Sequence, residues 1–302
     1  MTALALIVIA VKHVTPGLKS ELEECMLFFR KAGYEAALEE KQVGHWPHLL
    51  CRLGDVVQDA PARMSSNIFR RRLAESLAQY VVCEQATSYF NDMLTHYYFY
   101  FPKDEKQLIL ALAEKSYQAD PSKDEGGQIY AEVLQSVKEY VENTDYVNLH
   151  GLIIFRMRLW LKFLRRTLDK AVDDFLMEKE YQEFVKLLKY FVALQEPKIN
   201  QIHVALDDEG RFRLLDQEYQ PIDPEQGIYW DNDEGISDEE DQLVSMLITA
   251  APHSIVLHKH VYTQYPKAVD TLKHVFENRV TLCKRCKLCH DVGRNINLKG
   301  KI

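Results

Sequence analysis

The chain has 302 residues, 47% of them hydrophobic and 27% charged, and carries a formal net charge of −8. Those values exclude a disordered chain and one whose whole surface binds nucleic acid. The charge is uneven: from Arg279 to Ile302 seven Lys or Arg stand against one Asp, a net of +6, which leaves −14 on residues 1–278. Six cysteines are too sparse for a secreted disulfide scaffold, and a chain of this length forms a core without staples, so a reducing cytosol is expected.

The first element is "ALALIVIAV", residues 3–11, a continuous apolar run rich in β-branched residues. It is too short to span a bilayer and lacks a charged leader and a cleavage site. It reads as a strand in the middle of a sheet, buried on both faces. Thr15 and Pro16 then open a helix, with Leu18, Leu22, Cys25, Met26 and Phe29 on one face and Gly33 beyond its end. "HLLCRL", residues 48–53, reads as a second strand and completes a small α/β unit over 1–60.

A helical pattern follows from residue 61 to 200. Phe69, Leu73, Leu77 and Tyr80 or Val81 form a stripe at three- and four-residue steps. "HYYFYF", residues 96–101, suits a core, with a base-stacking platform as the alternative. The stretch 149–194 contains no proline and is too long for an average helix, so two helices are expected, or one kinked near "MEKEY". Arg156 has Leu152, Ile153, Leu159 and Trp160 three and four positions away, which predicts a partly buried charge. Such a charge needs a partner, and Glu180 or Asp173 is expected to pair with it as a structural lock.

Past Pro197 the period becomes two. "QIHVAL" and "RFRLLD" flank a turn at Gly210 and read as a hairpin within a C-terminal segment, 201–302. Residues 231–241 hold seven acids, and Ser237 with Glu240 forms a capping box for the next helix. "SIVLH" is a strand, Pro266 opens another helix, and "RVTLC" is the last strand. With strands at both ends and helices between them, the expected class is α+β, with the terminal strands close together.

"RVTLCKRCKLCH", residues 279–290, carries Cys283, Cys286 and Cys289 at even steps, followed by His290. Two residues between thiolates let a tight turn aim both at one ion. The fourth ligand of a zinc ion would come from His290, His258, His260 or Cys51. An iron–sulfur cluster is the second possibility, with Cys25, Cys51 or Cys83 completing it. "CKLCH" also matches c-type haem attachment, but that occurs outside the cytosol. Free, redox-sensing thiols are the fourth reading. Lys284, Arg285, Lys287 and Arg294 surround the motif, where they offset thiolate charge or meet phosphate. His203, Asp207, Asp208 and Asp216 on the hairpin would have to converge with His258 or His260 to make a metal-dependent hydrolase. No glycine-rich phosphate loop, nucleophile elbow or dinucleotide fingerprint is present.

Four stretches carry a resemblance. They are "RRLAESLAQYVV", "FRMRLWLKFL", "AVDDFLMEKEYQEFVKLLKYFVALQEPKINQIHV" and "DQLVSMLITAAPHSIVLH". In this order, from about residue 70 onward, they resemble the YtxC-like sporulation proteins of endospore-forming bacteria. The resemblance implies a cytosolic protein made around spore formation and implies no reaction. The expectation is therefore a non-enzymatic, metal-stabilised protein that binds another protein. A nucleic-acid binder or nuclease using the basic cysteine tail with His258 and His260 is the alternative, and no membrane span is expected.

Overall fold

A computed structural model describes residues 4–56, 66–119, 123–207, 210–222, 239–284, 286 and 289. The chain forms two compact units, 1–176 and 177–302. It is helix-rich, with two small mixed sheets, one on each core, and its class is α+β.

The first sheet has the order β2-β3-β1-β4. Its strands are β1 (Ala5–Ala10), β2 (Tyr34–Val43), β3 (Trp46–Val56) and β4 (Tyr146–Asn148). The apolar run is the interior strand β1, antiparallel to β3 and parallel to β4. Ile7 and Ile9 are fully buried, whereas Leu4 and Leu6 are exposed. The strand thus buries one face completely and the other only in part, a correction to the expected double burial. Helix α1 (Pro16–Lys31) starts where predicted: the Thr15 hydroxyl accepts a hydrogen bond from the Leu18 amide, and Gly33 takes a left-handed φ of 86° past its end. Its predicted apolar face, Leu18 to Phe29, is buried.

Helix α2 (Ser66–Tyr80) runs through a π-helical turn, Val81–Gln85, into α3 (Ala86–Tyr97). The stripe Phe69, Leu73, Leu77, Tyr80 and Val81 faces the core. Helices α4 (Lys103–Ala119), α5 (Lys123–Asn143) and α6 (Leu149–Arg156) follow. One hydrophobic cluster joins the sheet residues Ile7, Leu49 and Leu53 to Phe90, Val137 and Trp160 of the helices. The residues expected to form a separate unit over 1–60 therefore share their core with the helices. In the aromatic run only Phe101 is buried; Tyr97, Phe99 and Tyr100 are exposed, because the run is the last two residues of α3 and the turn that leads to α4.

The long helical stretch breaks at Met157, not near "MEKEY". Helix α7 (Arg158–Leu194) then continues for 37 residues. The break explains why the expected ion pair is absent. Arg156 is the last residue of α6, so the stripe that would bury it does not run on to Leu159, which is exposed. Arg156, Glu180 and Asp173 are all exposed, and none forms a salt bridge with a described residue.

The second sheet has the order β6-β5-β7-β8. The hairpin is β5 (Gln201–Leu206) with β6 (Phe212–Leu215), and Gly210 in the turn has φ 84°. Strands β7 (Ser254–Leu257) and β8 (Val280–Leu282) extend it in parallel. Helices α8 (Glu239–Ala250), α9 (Lys259–Gln264) and α10 (Pro266–Phe276) belong to this unit. Leu243, Leu247, Leu272 and Phe276 pack with Ile202, Val204 and Ile255 of the sheet and with Val185 and Val192 of α7. The first and last strands lie in different sheets, so they are not strand neighbours. Ser237 of the expected capping box lies outside the described residues. No helix among the described residues is long and apolar enough to cross a membrane.

Candidate metal centre

His258 and Cys283 follow directly on neighbouring parallel strands. The pairing of Leu257 with Leu282 sets the next two residues side by side at the carboxyl ends of β7 and β8. The backbone continues this register: the Cys283 amide donates to the Leu257 carbonyl at 2.9 Å, and the His258 amide to Val204 at 3.0 Å. Beyond Cys283 the chain turns back, and the Cys289 amide donates to the Cys286 carbonyl at 3.1 Å. That turn brings the second and third sulfurs to the first.

The result is one group of four donors, His258, Cys283, Cys286 and Cys289, with ligand atoms all within 4.8 Å of one another. The Cys286 and Cys289 sulfurs are 3.9 Å apart, and those of Cys289 and Cys283 are 3.8 Å apart. Nδ1 of His258 lies 3.3 Å from the Cys286 sulfur and 3.4 Å from that of Cys289. The Lys259 amide points at the Cys289 sulfur from 3.5 Å. This group could hold a metal ion.

His258 is buried, 3% exposed, and burial is the main cause that pushes its pKa down to about 4, with His203 adding to the effect. Its ring is therefore neutral at physiological pH, the form that ligates. The Cys286 thiol is pushed up, first by burial and then by its crowded sulfur neighbours, against the lowering effect of the Cys289 amide. A divalent cation among the sulfurs reverses that preference and favours thiolates.

The surrounding groups brace this geometry. Nε2 of His258 faces Nδ1 of His203 on β5 at 3.3 Å. The His203 ring lies against Tyr219, with ring centres 4.6 Å apart. Burial lowers the pKa of His203, while Asp216 opposes that shift. His260, one of the fourth-ligand candidates, instead places Nε2 3.3 Å from the Cys289 carbonyl. It steadies the turn and does not join the donor group. The Tyr262 hydroxyl donates to the Cys283 carbonyl at 3.4 Å.

The other sequence candidates stand elsewhere. Cys51 and Cys25 are buried in the core of the first unit, and Cys83 is exposed and accepts from Gln79. None of them belongs to the donor group. Asp207 pairs with Arg211, and Asp216 accepts the amides of Glu218 and Gln220, so both are turn formers and not part of a convergent acid cluster. Lys284 is exposed. His290, Arg285, Lys287, Arg294 and Asp208 lie outside the described residues. Of the described residues in the hairpin group, His203 does meet His258, as a neighbour of the donor group and not as a member of it. That contact depends on the pairing of β5 with β7, which no local pattern encodes.

Comparison with known proteins places this chain. The family model described as the YtxC-like family matches residues 71–281. The chain belongs to the YtxC-like family. An uncharacterized protein YtxC of Bacillus subtilis (strain 168) is 29% identical over 198 residues, which cover 61% of this chain and 66% of that protein. The match thus spans just under two thirds of the relative's length. No solved structure matches. The family match includes His258 and ends two positions before Cys283.

Proposed function

We propose that His258, Cys283, Cys286 and Cys289 bind one zinc ion that stiffens the second unit, and that the protein acts by binding another protein in the cytosol around sporulation. The single observation that carries the metal reading is the convergence of four nitrogen and sulfur donors within 4.8 Å. With bonds of about 2.3 Å to sulfur and about 2.0–2.1 Å to nitrogen, a tetrahedral zinc sets sulfurs about 3.8 Å apart and sulfur–nitrogen pairs about 3.6 Å apart. The measured 3.8 and 3.9 Å, and 3.3 and 3.4 Å, fit that pattern.

Four protein donors leave no coordination position for a substrate, which favours a structural ion over a catalytic one. Three sulfurs with one histidine also favour zinc over the harder cations. The free thiols Cys25 and Cys51 support a reducing compartment. When bound, the ion supplies a cross-link between the ends of β7 and β8 and the returning turn. His258 supplies a neutral nitrogen, His203 holds that ring in orientation, and the Lys259 amide offsets charge on the Cys289 sulfur.

The test is elemental analysis with an absorption spectrum on protein purified without oxygen. About one equivalent of zinc and no visible colour are expected. His258→Ala and Cys286→Ser should each abolish stoichiometric metal. His203→Phe should retain the metal but weaken it by about 10–100-fold, as loss of an orienting partner does. A brown protein containing iron, or a colourless one without metal, overturns the reading.

A further inference from the structure

We infer that the groove between α7, α8 and α10 in the second unit is a docking site for an amphipathic helix of a partner protein, one with lysine or arginine on its polar face. The inference rests on the partner-binding half of the function proposed above and not on which metal is held. The groove has a volume of about 920 Å³. Its floor is apolar, and no described residue covers it. Tyr181, Phe184 and Leu188 line it from α7 at three- and four-residue steps, and Val244 and Ile248 from α8 at a four-residue step. Phe184 is 52% exposed, although residues 185 and 192 of the same helix are buried in the core. Rows of this spacing accept the apolar face of a helix, anchored at every third or fourth residue.

The rim identifies the occupant. Glu178, Glu240, Asp241 and Asp270 border the floor, against His274 and Lys267, the only lysine or arginine among the described lining residues. Glu240 is committed to the Ala268 amide, and Glu178 accepts from Gln182. Asp241 and Asp270 make no hydrogen bond or ion pair with a described residue. An acidic rim around an apolar floor is complementary to a basic amphipathic helix and repels an acidic one.

The experiment uses the full chain and a fluorescent peptide of about 18 residues, or five helical turns, with leucine on one face and lysine on the other. A leucine–glutamate peptide of the same order and a shuffled leucine–lysine peptide are the controls. Fluorescence anisotropy should show the leucine–lysine peptide binding at least about tenfold more tightly than either control. Phe184→Glu should abolish that preference. Asp241→Lys combined with Asp270→Lys, both at exposed positions, should transfer it to the leucine–glutamate peptide. Circular dichroism and a cooperative urea transition like that of the wild type establish that each variant is folded.

No binding, or binding unmoved by both variants, overturns the inference. So does a wild-type dimer that Phe184→Glu dissociates, because the groove is then filled by a second copy. A chain that holds zinc but ignores the peptide defeats this inference alone. A chain without metal that still shows the charge-dependent preference defeats the zinc reading alone.

Discussion

A buried thiol makes the clearest residue-scale prediction outside the metal centre. Cys25 is 2% exposed, and burial, opposed by Ser76 and Arg72, raises its pKa from 9.0 to about 11. Between those values the unfolded chain gives up a proton that the folded chain keeps. The stability this thiol contributes is complete below pH 9.0 and is lost as pH rises toward about 11. Urea midpoints should fall across that window, and Cys25→Ala should flatten the fall; an equal slope in both proteins would remove the argument. The same burial makes Cys25 and Cys51 poor redox sensors, since the reactive form is the thiolate. At this scale the sequence is legible where spacing alone gathers donors: three cysteines at three-residue steps form a group that could hold one ion. Choosing His258 over His260 required the strand register, which places one ring on the sulfurs and the other on a carbonyl. Arg156 is exposed because the apolar residues three and four positions away stand on both sides of a helix end.

Elements carry their own signals when caps and periodicity agree. Helix α1 has Thr15 as its N-cap, Pro16 at its first position and one apolar stripe, and it forms as those signals require. The Thr15 hydroxyl accepts from the Leu18 amide at 3.2 Å and contacts the Tyr80 hydroxyl at 2.9 Å. Thr15→Ala should therefore cost about 1 kcal/mol in chemical unfolding, while Thr15→Ser, which keeps both contacts, should cost little. Equal losses would show that the methyl group matters and the cap does not. Strands β2 and β4 lack such signals. The sequence of β2, "YEAALEEKQV", alternates poorly because none of its residues from Ala37 onward is buried. Strand β4 has three residues and exists only because β1 offers it a parallel edge. The helix break at Met157 has no proline or glycine beside it. It is set by packing, in which Met157 and Trp160 are both buried in the first core.

At the scale of the whole molecule, the two hydrophobic clusters are separate, and each includes one sheet. The division falls at Leu176 and Met177, at the start of "MEKEY", and helix α7 runs through it without a break, so no helix end marks it. Stability in a chain with two cores need not be lost all at once, and a bound ion stabilises only the region whose folding creates its site. The proposed ion joins β7, β8 and the turn beyond them, all in the second unit. Removing it with a chelator should accelerate amide hydrogen exchange in β5, β7 and α9, whose backbone groups adjoin His203 and His258. The amides of β1 and β3, paired deep in the other sheet, should keep their protection. Restoring zinc should return the protection, and His258→Ala should mimic the chelator without responding to added metal. Equal acceleration in both sheets would mean that the chain opens as a single cooperative body. No change in either would mean that the four donors hold no ion that matters to folding.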